Sequence, residues 1–221
     1  MDIQKKEVLR YMGCHESIDD EITMRSIDEC IDEAKGLASQ GVTFGIFDIK
    51  KVKGGIEIEN SGIVLTGDSI VKHLEGCEKC AIMAATLGSE LDMRIRYYSK
   101  ASLSKGIILD ACGAAGVESL CDAAEESIKA IAKNEGYNTT FRYSPGYGDL
   151  PLDVQPGILR LLDAQKKIGL TATDSLLLIP RKSVTAVIGF SKKKTHSRLT
   201  CGICSMNGKC SYQKRGKSCG S

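Results

Sequence analysis

The segment from Phe141 to Pro151 carries the residue types and spacing best suited to binding a small ligand. Its Pro145-Gly146 pair predicts a turn, because proline fixes φ and glycine readily takes a positive φ. Arg142 stands three residues before the proline, and its planar guanidinium suits a carboxylate or a phosphate. A rigid surface turn beside an exposed arginine has the same pattern, so the segment alone leaves both interpretations open.

A second group that could do chemistry is acidic and precedes this segment. Glu118, Asp122 and Glu126 are spaced four residues apart in a helical pattern, so they line one face of that helix. One interpretation is a solvated acidic face. The other is that one of these carboxylates meets the ammonium group of an amino-acid ligand.

The ten cysteines offer a third chemistry. Cys77 and Cys80 form a C-x-x-C pair, which suits redox chemistry or a metal, or else two small apolar side chains at a helix-to-strand junction. Four more have the spacing C-x2-C-x5-C-x8-C near the end of the chain: Cys201, Cys204, Cys210 and Cys219. Four thiolates suit zinc or an iron–sulfur cluster, with His196 as an alternative ligand. A flexible tail that carries thiols is the competing interpretation.

Composition excludes several classes of function. The formal net charge is +2, tryptophan is absent and aromatics are few, so neither a basic surface nor a base-stacking surface for nucleic acid is indicated. No apolar run is long enough to span a membrane, and the charged N-terminus has no signal region, so we expect a cytoplasmic protein. The three histidines are scattered, and neither a phosphate-binding loop nor a dinucleotide-binding glycine pattern occurs.

Hydrophobic periodicity predicts helices and strands in an α+β order along the chain. We expect helices over residues 2–12, 23–37, 90–98, 104–132 and 154–167, the fourth interrupted or kinked near Gly113 and Gly116. We expect strands over residues 41–49, 52–58, 63–65, 81–87, 176–179 and 183–190, the first two joined by a Gly-Gly hairpin. Asp68 or Ser69 is expected to cap a short helix that runs through Leu74. The lysine run that starts at Lys192 marks a change of composition.

The order of several segments is similar to a known family. They are Ala84–Gly88, Leu109–Gly113, Arg142–Tyr147 and Leu170–Val184, within a stretch from Leu74 to Gly189. Together they resemble the activation domain of cobalamin-dependent methionine synthase, and more closely its stand-alone relatives. The resemblance implies one α+β domain over residues 1–191, with a twisted antiparallel sheet flanked by helices. A Cys-rich basic tail would then occupy residues 192–221.

The resemblance also implies an activity. Domains of this family present S-adenosylmethionine to a cobalamin cofactor that has oxidised to cob(II)alamin, while a flavodoxin-type or ferredoxin-type protein supplies an electron. This chain has neither a cobalamin-binding domain nor a methyltransferase barrel. Its implied partner is therefore a corrinoid-binding protein, or a methionine synthase that lacks its own activation domain. On this interpretation the chain takes part in methyl transfer without being catalytic alone.

Site residues follow from the same resemblance, position by position. Arg142 matches the arginine that binds the carboxylate of the ligand, and Ser144 stands where the family uses main-chain contacts. Gly146 and Tyr147 match the turn that shapes the pocket. An acidic residue of the preceding helix takes the ammonium group of the ligand, with Asp122 the best match and Glu118 the next.

The sequence departs from the family at three places. Gly148-Asp149-Leu150 replaces a Pro-Ala-Cys segment, Ile179 replaces an aromatic residue, and the Tyr-Tyr pair expected after the last strand is missing near Phe190–Lys194. Two other functions therefore stay open. One is a metal or redox module based on the cysteines of the tail, and the other is a structural accessory subunit of a corrinoid methyltransferase.

Overall fold

The computed structural model describes residues 1–14 and 20–193 and the single residue Gly208. The helices are α1 Lys5–Tyr11, α2 Glu21–Leu37, α3 Asp68–His73, α4 Ser89–Ala101, α5 Leu103–Asn134, α6 Gln155–Leu161 and α7 Ala164–Ile168. The strands are β1 Gly41–Val52, β2 Gly55–Ile58, β3 Ile63–Thr66, β4 Cys77–Thr86, β5 Asn138–Thr139, β6 Thr171–Ala172, β7 Leu178–Ile179 and β8 Ser183–Ser191. No helix in this described part is long and apolar enough to cross a membrane.

The strands form two sheets. The larger sheet has the order β3-β2-β1-β4-β8-β5, and the smaller one pairs β6 with β7. The pairs β1–β2, β2–β3, β5–β8 and β6–β7 are antiparallel. Every residue of β4 from Cys80 to Thr86 is buried, which explains why the sequence there is a continuous apolar run rather than an alternating one.

The chain divides into two compact units. The first comprises Met1–Gly45, Met83–Ser127 and Gln155–Thr185, and the second comprises Ile46–Ile82, Ile128–Val154 and Ala186–Ser221. The chain passes between the units within β1, β4, α5 and β8, and also between Val154 and Gln155 at the start of α6. The expected division into a domain over residues 1–191 and a tail over 192–221 stays a prediction.

The first unit has a core formed mainly by helices. Ile27, Ile31 and Ala34 of α2 are buried with Leu109 and Cys112 of α5. Asp20 starts α2, because its carboxylate accepts hydrogen bonds from the amides of Ile22 and Thr23 at 3.3 and 3.0 Å.

The expected interruption of the long helix is wrong, because α5 runs without a break for 32 residues. Glycine in a helix interior costs about 1 kcal/mol relative to alanine, but here the glycines allow close packing. A Cβ atom on Gly113 would lie 3.0 Å from the Lys182 side chain, and one on Gly116 would lie 2.8 Å from Met1. Lys182 reaches across this surface to Asp110, with 3.0 Å between Nζ and Oδ1.

The single helix expected over residues 154–167 is also wrong. It is divided into α6 and α7 at Asp163, whose φ of 52° is left-handed. Aspartate takes this conformation more readily than most residues, since its short side chain can hydrogen-bond locally. The expected strand 176–179 shrinks to β7, since Leu176 also has a left-handed φ of 64°.

The second unit carries the strands that hold the candidate site. The expected hairpin between β1 and β2 is confirmed: Val52 pairs with Gly55, which leaves Lys53 and Gly54 as a two-residue loop. The glycine with positive φ is Gly54, at 82°, while Gly55 is the first residue of β2. β3 then leads into α3, and α3 into β4.

Candidate functional site

Tyr143 fixes the chain at the start of the loop that carries the Pro145-Gly146 turn. Its amide donates to the Val187 carbonyl and the Val187 amide donates back to the Tyr143 carbonyl, both at 2.9 Å. The Tyr143 side chain is 5% exposed, whereas that of the preceding Arg142 is half-buried. The backbone beside Arg142 is therefore attached to β8.

The predicted turn is present. The Tyr147 amide donates to the Ser144 carbonyl at 3.0 Å, so Pro145 and Gly146 are the two central residues. Gly146 has φ 86°, the value that a type II turn demands at its third residue. The Gly146 amide also donates to the Leu150 carbonyl at 2.8 Å, which closes a second ring of the loop. Proline and glycine thus occupy these positions for a geometric reason.

Asp149 anchors this turn to α3. Its carboxylate accepts hydrogen bonds from the amides of Asp68 at 2.7 Å and Ser69 at 3.0 Å. Desolvation raises the pKa of Asp149, but hydrogen bonds from the Ser69 hydroxyl and the two amides lower it, and the net pKa is below the usual value. The expectation that Asp68 or Ser69 caps the helix is wrong, because the capping carboxylate comes from a residue about eighty positions later.

A second contact between the turn and α3 involves Tyr143. Its hydroxyl is hydrogen-bonded to the Ser69 side chain. Burial raises the pKa of the Tyr143 phenol by more than this hydrogen bond lowers it, so the pKa lies above its usual value. A Cβ atom at Gly148 would collide with that hydroxyl, so this close approach requires glycine. The rings of Tyr143 and Tyr147 meet edge to face with centroids 5.4 Å apart. Gly148 and Asp149, where the sequence departs from the family pattern, therefore hold the turn against α3.

His73, the last residue of α3, contacts the segment that leads from β5 to Arg142 and Tyr143. Its ring centroid is 4.4 Å from that of Phe141 and 4.8 Å from that of Tyr143. Its Nε2 atom is 2.9 Å from the Thr140 hydroxyl oxygen. Burial lowers the pKa of His73 to about 4, against a smaller opposing effect of a hydrogen bond with the Phe141 backbone, so the ring is neutral at pH 7.

Removal of the Asp149 carboxylate is expected to loosen the turn. We expect Asp149→Ala to lower the Tm by roughly 2–4 °C, the effect of losing one helix cap in a protein of this size. The amides of Asp68 and Ser69 should then exchange faster in a hydrogen-exchange experiment. Asp153→Ala is the matched control, because Asp153 is an exposed carboxylate in the adjoining 3-10 turn. Equal Tm and equal exchange in the two variants would show that the carboxylate does not hold the turn.

The three acidic residues lie on α5, in the part of that helix that belongs to the first unit. Glu118 is half-buried, and Asp122 and Glu126 are exposed on the same helical face. Burial raises the pKa of Tyr11, and the negative charge of Glu118 raises it further. The predicted alignment of the three carboxylates is confirmed by the continuous helix, while their role stays a prediction.

The C-x-x-C pair is part of a strand. Cys77 and Cys80 both lie in β4, and residues three apart in a strand point to opposite faces of the sheet. Burial raises the pKa of Cys77 to about 11 and that of Cys80 to about 12, so both are unreactive thiols at pH 7. Among the described residues, no group of three potential ligands could hold a metal ion. The predicted tail ligands lie outside those residues: Cys201, Cys204, Cys210, Cys219 and the alternative His196.

The structure brings together four of the six predicted ligand-binding residues. Arg142, Ser144, Gly146 and Tyr147 share one loop of the second unit, while Glu118 and Asp122 belong to the first. Sequence reasoning missed Asp149, His73 and Thr140. Asp149 could have been suspected, because an acidic residue beside glycine replaces part of the family pattern. No local signal linked His73 or Thr140 to the loop, since their contacts join distant parts of the chain.

Comparisons with known proteins agree with this fold. The family model described as the vitamin B12 dependent methionine synthase activation domain matches residues 118–217. A solved structure, the MetH reactivation domain bound to AdoHcy, is similar with a TM-score of 0.61 and 16% sequence identity. The similarity covers 99% of this chain and 78% of that chain. No curated protein matches the chain. The predicted resemblance and the α+β fold are confirmed, and the match to the family model includes the whole segment 142–151.

Proposed function

We propose that this chain, a relative of the vitamin B12 dependent methionine synthase activation domain, binds S-adenosylmethionine and supports reductive methylation of cob(II)alamin on a separate protein. The observation that supports this most is the rigid turn next to Arg142. Its backbone is bonded to β8 on one side and, through Asp149, to α3 on the other. The structural neighbour with this fold has AdoHcy bound, and AdoHcy shares the amino-acid end of S-adenosylmethionine.

Each predicted residue has a role in this proposal. Arg142 binds the ligand carboxylate through two parallel N–H···O bonds, a geometry that lysine cannot provide. The main chain at Ser144 supplies further hydrogen bonds, and Gly146 and Tyr147 shape the wall of the pocket. Asp122, or Glu118 in its place, binds the ligand ammonium. A carboxylate near the cationic sulfonium also favours S-adenosylmethionine over its neutral-sulfur product.

The reaction that the proposal assigns consumes one electron and one methyl group. S-adenosylmethionine gives its methyl group to the cobalt and leaves as S-adenosylhomocysteine, so cob(II)alamin becomes methylcobalamin. The electron comes from a flavodoxin-type or ferredoxin-type protein. The cobalamin belongs to a corrinoid-binding partner, such as a methionine synthase without its own activation domain. The chain itself positions the methyl donor and is not an enzyme alone.

The proposal is tested by reactivation in trans. A methionine synthase fragment without its activation domain is oxidised to the cob(II)alamin form and mixed with a reductant and S-adenosylmethionine. The absorbance of methylcobalamin should appear only when this chain is also present. Arg142→Ala in place of the wild-type chain should give much less methylcobalamin at the same concentration of S-adenosylmethionine. Equal methylation with and without the chain would contradict the proposed function.

A further inference from the structure

The segment that carries Arg142 contains a β-bulge. Thr139 pairs with Phe190, and further along the same two segments Tyr143 pairs with Val187. The chain advances four residues from Thr139 to Tyr143, but only three from Val187 to Phe190 on β8. The extra residue lies between Thr139 and Tyr143, in the stretch that ends with Arg142. A bulge bends its strand and changes the direction in which its side chains point.

A side chain takes over the hydrogen bonding at the bulge. The Thr140 amide donates to the Gly189 carbonyl at 2.9 Å, as in a regular ladder. The return bond is different, because the Gly189 amide donates to the Thr140 hydroxyl oxygen at 2.8 Å instead of to a backbone carbonyl. Thr140 is 5% exposed, so its hydroxyl is the group that satisfies this buried amide.

His73 contacts the bulge through a hydrogen bond and through ring packing. Its Nε2 atom is 2.9 Å from the same Thr140 hydroxyl oxygen. Its ring also contacts those of Phe141 and Tyr143, the two neighbours of Arg142 in the chain. The imidazole of His73 thus contacts residues on both sides of Arg142. Its hydrogen-bonding partner, the Thr140 hydroxyl, is also the group that accepts from the Gly189 amide at the bulge.

We propose that Thr140 and His73 are positioning residues for Arg142: together they fix the bulge that directs the guanidinium toward the ligand carboxylate. This inference rests on the proposed function, because it assigns Arg142 a ligand. The main consequence is that ligand affinity depends on the Thr140 hydroxyl, a group with no assigned contact to the ligand. If Thr140 only filled space, replacing it by a residue of the same shape would leave the ligand affinity unchanged.

Two substitutions of Thr140 separate these possibilities. Thr140→Val keeps the shape but removes the hydroxyl, and Thr140→Ser keeps the hydroxyl but removes the methyl group. In a calorimetric titration with S-adenosylmethionine, we expect Thr140→Val to weaken binding about tenfold or more, as losing one well-placed hydrogen bond would. Thr140→Ser should bind within about threefold of wild type. Wild-type affinity in Thr140→Val, or an equal loss in both variants, would overturn the inference.

A measurement without ligand makes the test independent of the proposed function. Amide exchange at Gly189 should be slow in the wild type and in Thr140→Ser, and fast in Thr140→Val. Equal exchange in all three would overturn the bulge device even if the wild type binds ligand. Absence of binding by the wild type, with the expected exchange pattern, would overturn the proposed function and the role assigned to Arg142.

His73→Phe provides a second variant if Thr140→Val fails to fold. Phenylalanine keeps an aromatic ring between Phe141 and Tyr143 but cannot hydrogen-bond to Thr140. We expect it to weaken binding about tenfold, like the valine variant. Wild-type affinity in His73→Phe would overturn the role of the imidazole.

Discussion

Arg142→Ala is expected to weaken S-adenosylmethionine binding about 100-fold while the protein stays folded. A hydrogen bond to a charged group contributes about 1.5–3 kcal/mol, and the guanidinium is proposed to make two to one carboxylate. Arg142 is half-buried in a loop whose anchors are the backbone of Tyr143 and the carboxylate of Asp149. Since neither anchor involves the Arg142 side chain, the loop should keep its conformation. Isothermal titration with S-adenosylmethionine measures the effect.

Two further variants show whether the loss is specific. Arg142→Lys keeps the positive charge but not the planar fork, so its affinity should fall between those of the wild type and the alanine variant. Arg160→Ala removes an exposed arginine from α6 and should bind like the wild type. Unchanged affinity in Arg142→Ala would show that Arg142 does not bind the ligand carboxylate. Equal losses in the variants at 142 and 160 would point to a general charge effect.

The second large effect concerns stability and pH. Burial lowers the pKa of His73 from 6.5 to about 4. The unfolded chain therefore binds more protons than the folded protein between these values, and the free energy of unfolding falls as the pH falls from 6.5 to 4. This pKa shift corresponds to a contribution of about 3 kcal/mol to the free energy of unfolding. The contribution is fully present above pH 6.5 and is lost progressively as the pH falls below that value.

His73→Gln isolates this contribution. Glutamine has no charge to gain in this range, whereas the carboxylates titrate in both proteins and cancel in the comparison. Urea unfolding at several values between pH 4 and pH 7 should show a steeper loss of stability in the wild type than in the variant. Parallel curves would mean that His73 titrates alike in the folded and unfolded states, and would contradict its burial as a neutral ring.

The parts of the fold that could be predicted from sequence are those set by short-range rules. The turn at Pro145-Gly146, the hairpin at Lys53-Gly54 and the buried strand β4 each follow from residues close together in the chain. The activation-domain resemblance came from the order of several such segments. Its confirmation at 16% identity to a solved structure shows that this order carries fold information even where few residues are shared.

The errors arose where distant contacts override local preference. Gly113 does not break α5, because Lys182 packs against it and bonds to Asp110. The cap of α3 comes from Asp149, because the carboxylate of this distant residue, and not a local side chain, accepts hydrogen bonds from the first amides of the helix. The bulge before Tyr143 depends on the register against β8. None of these contacts leaves a periodic signal in the sequence.

Part of the candidate site was predictable for the same reason. Arg142, Ser144, Gly146 and Tyr147 lie within six residues, so one motif identifies all four. Asp149, which anchors this motif to α3, lies at a position where the sequence differs from the family pattern. The ligand-binding roles of Asp122 and Glu118 follow from the resemblance alone and stay predictions.

Isothermal titration of the purified chain with S-adenosylmethionine is the decisive experiment for the proposed function. We predict saturable binding of one ligand per chain, and binding about 100-fold weaker in Arg142→Ala. No heat of binding at millimolar ligand would contradict it. In that case the chain would share the fold of an activation domain without its ligand, and the cysteines of the segment after Lys192 would become the next place to look for chemistry.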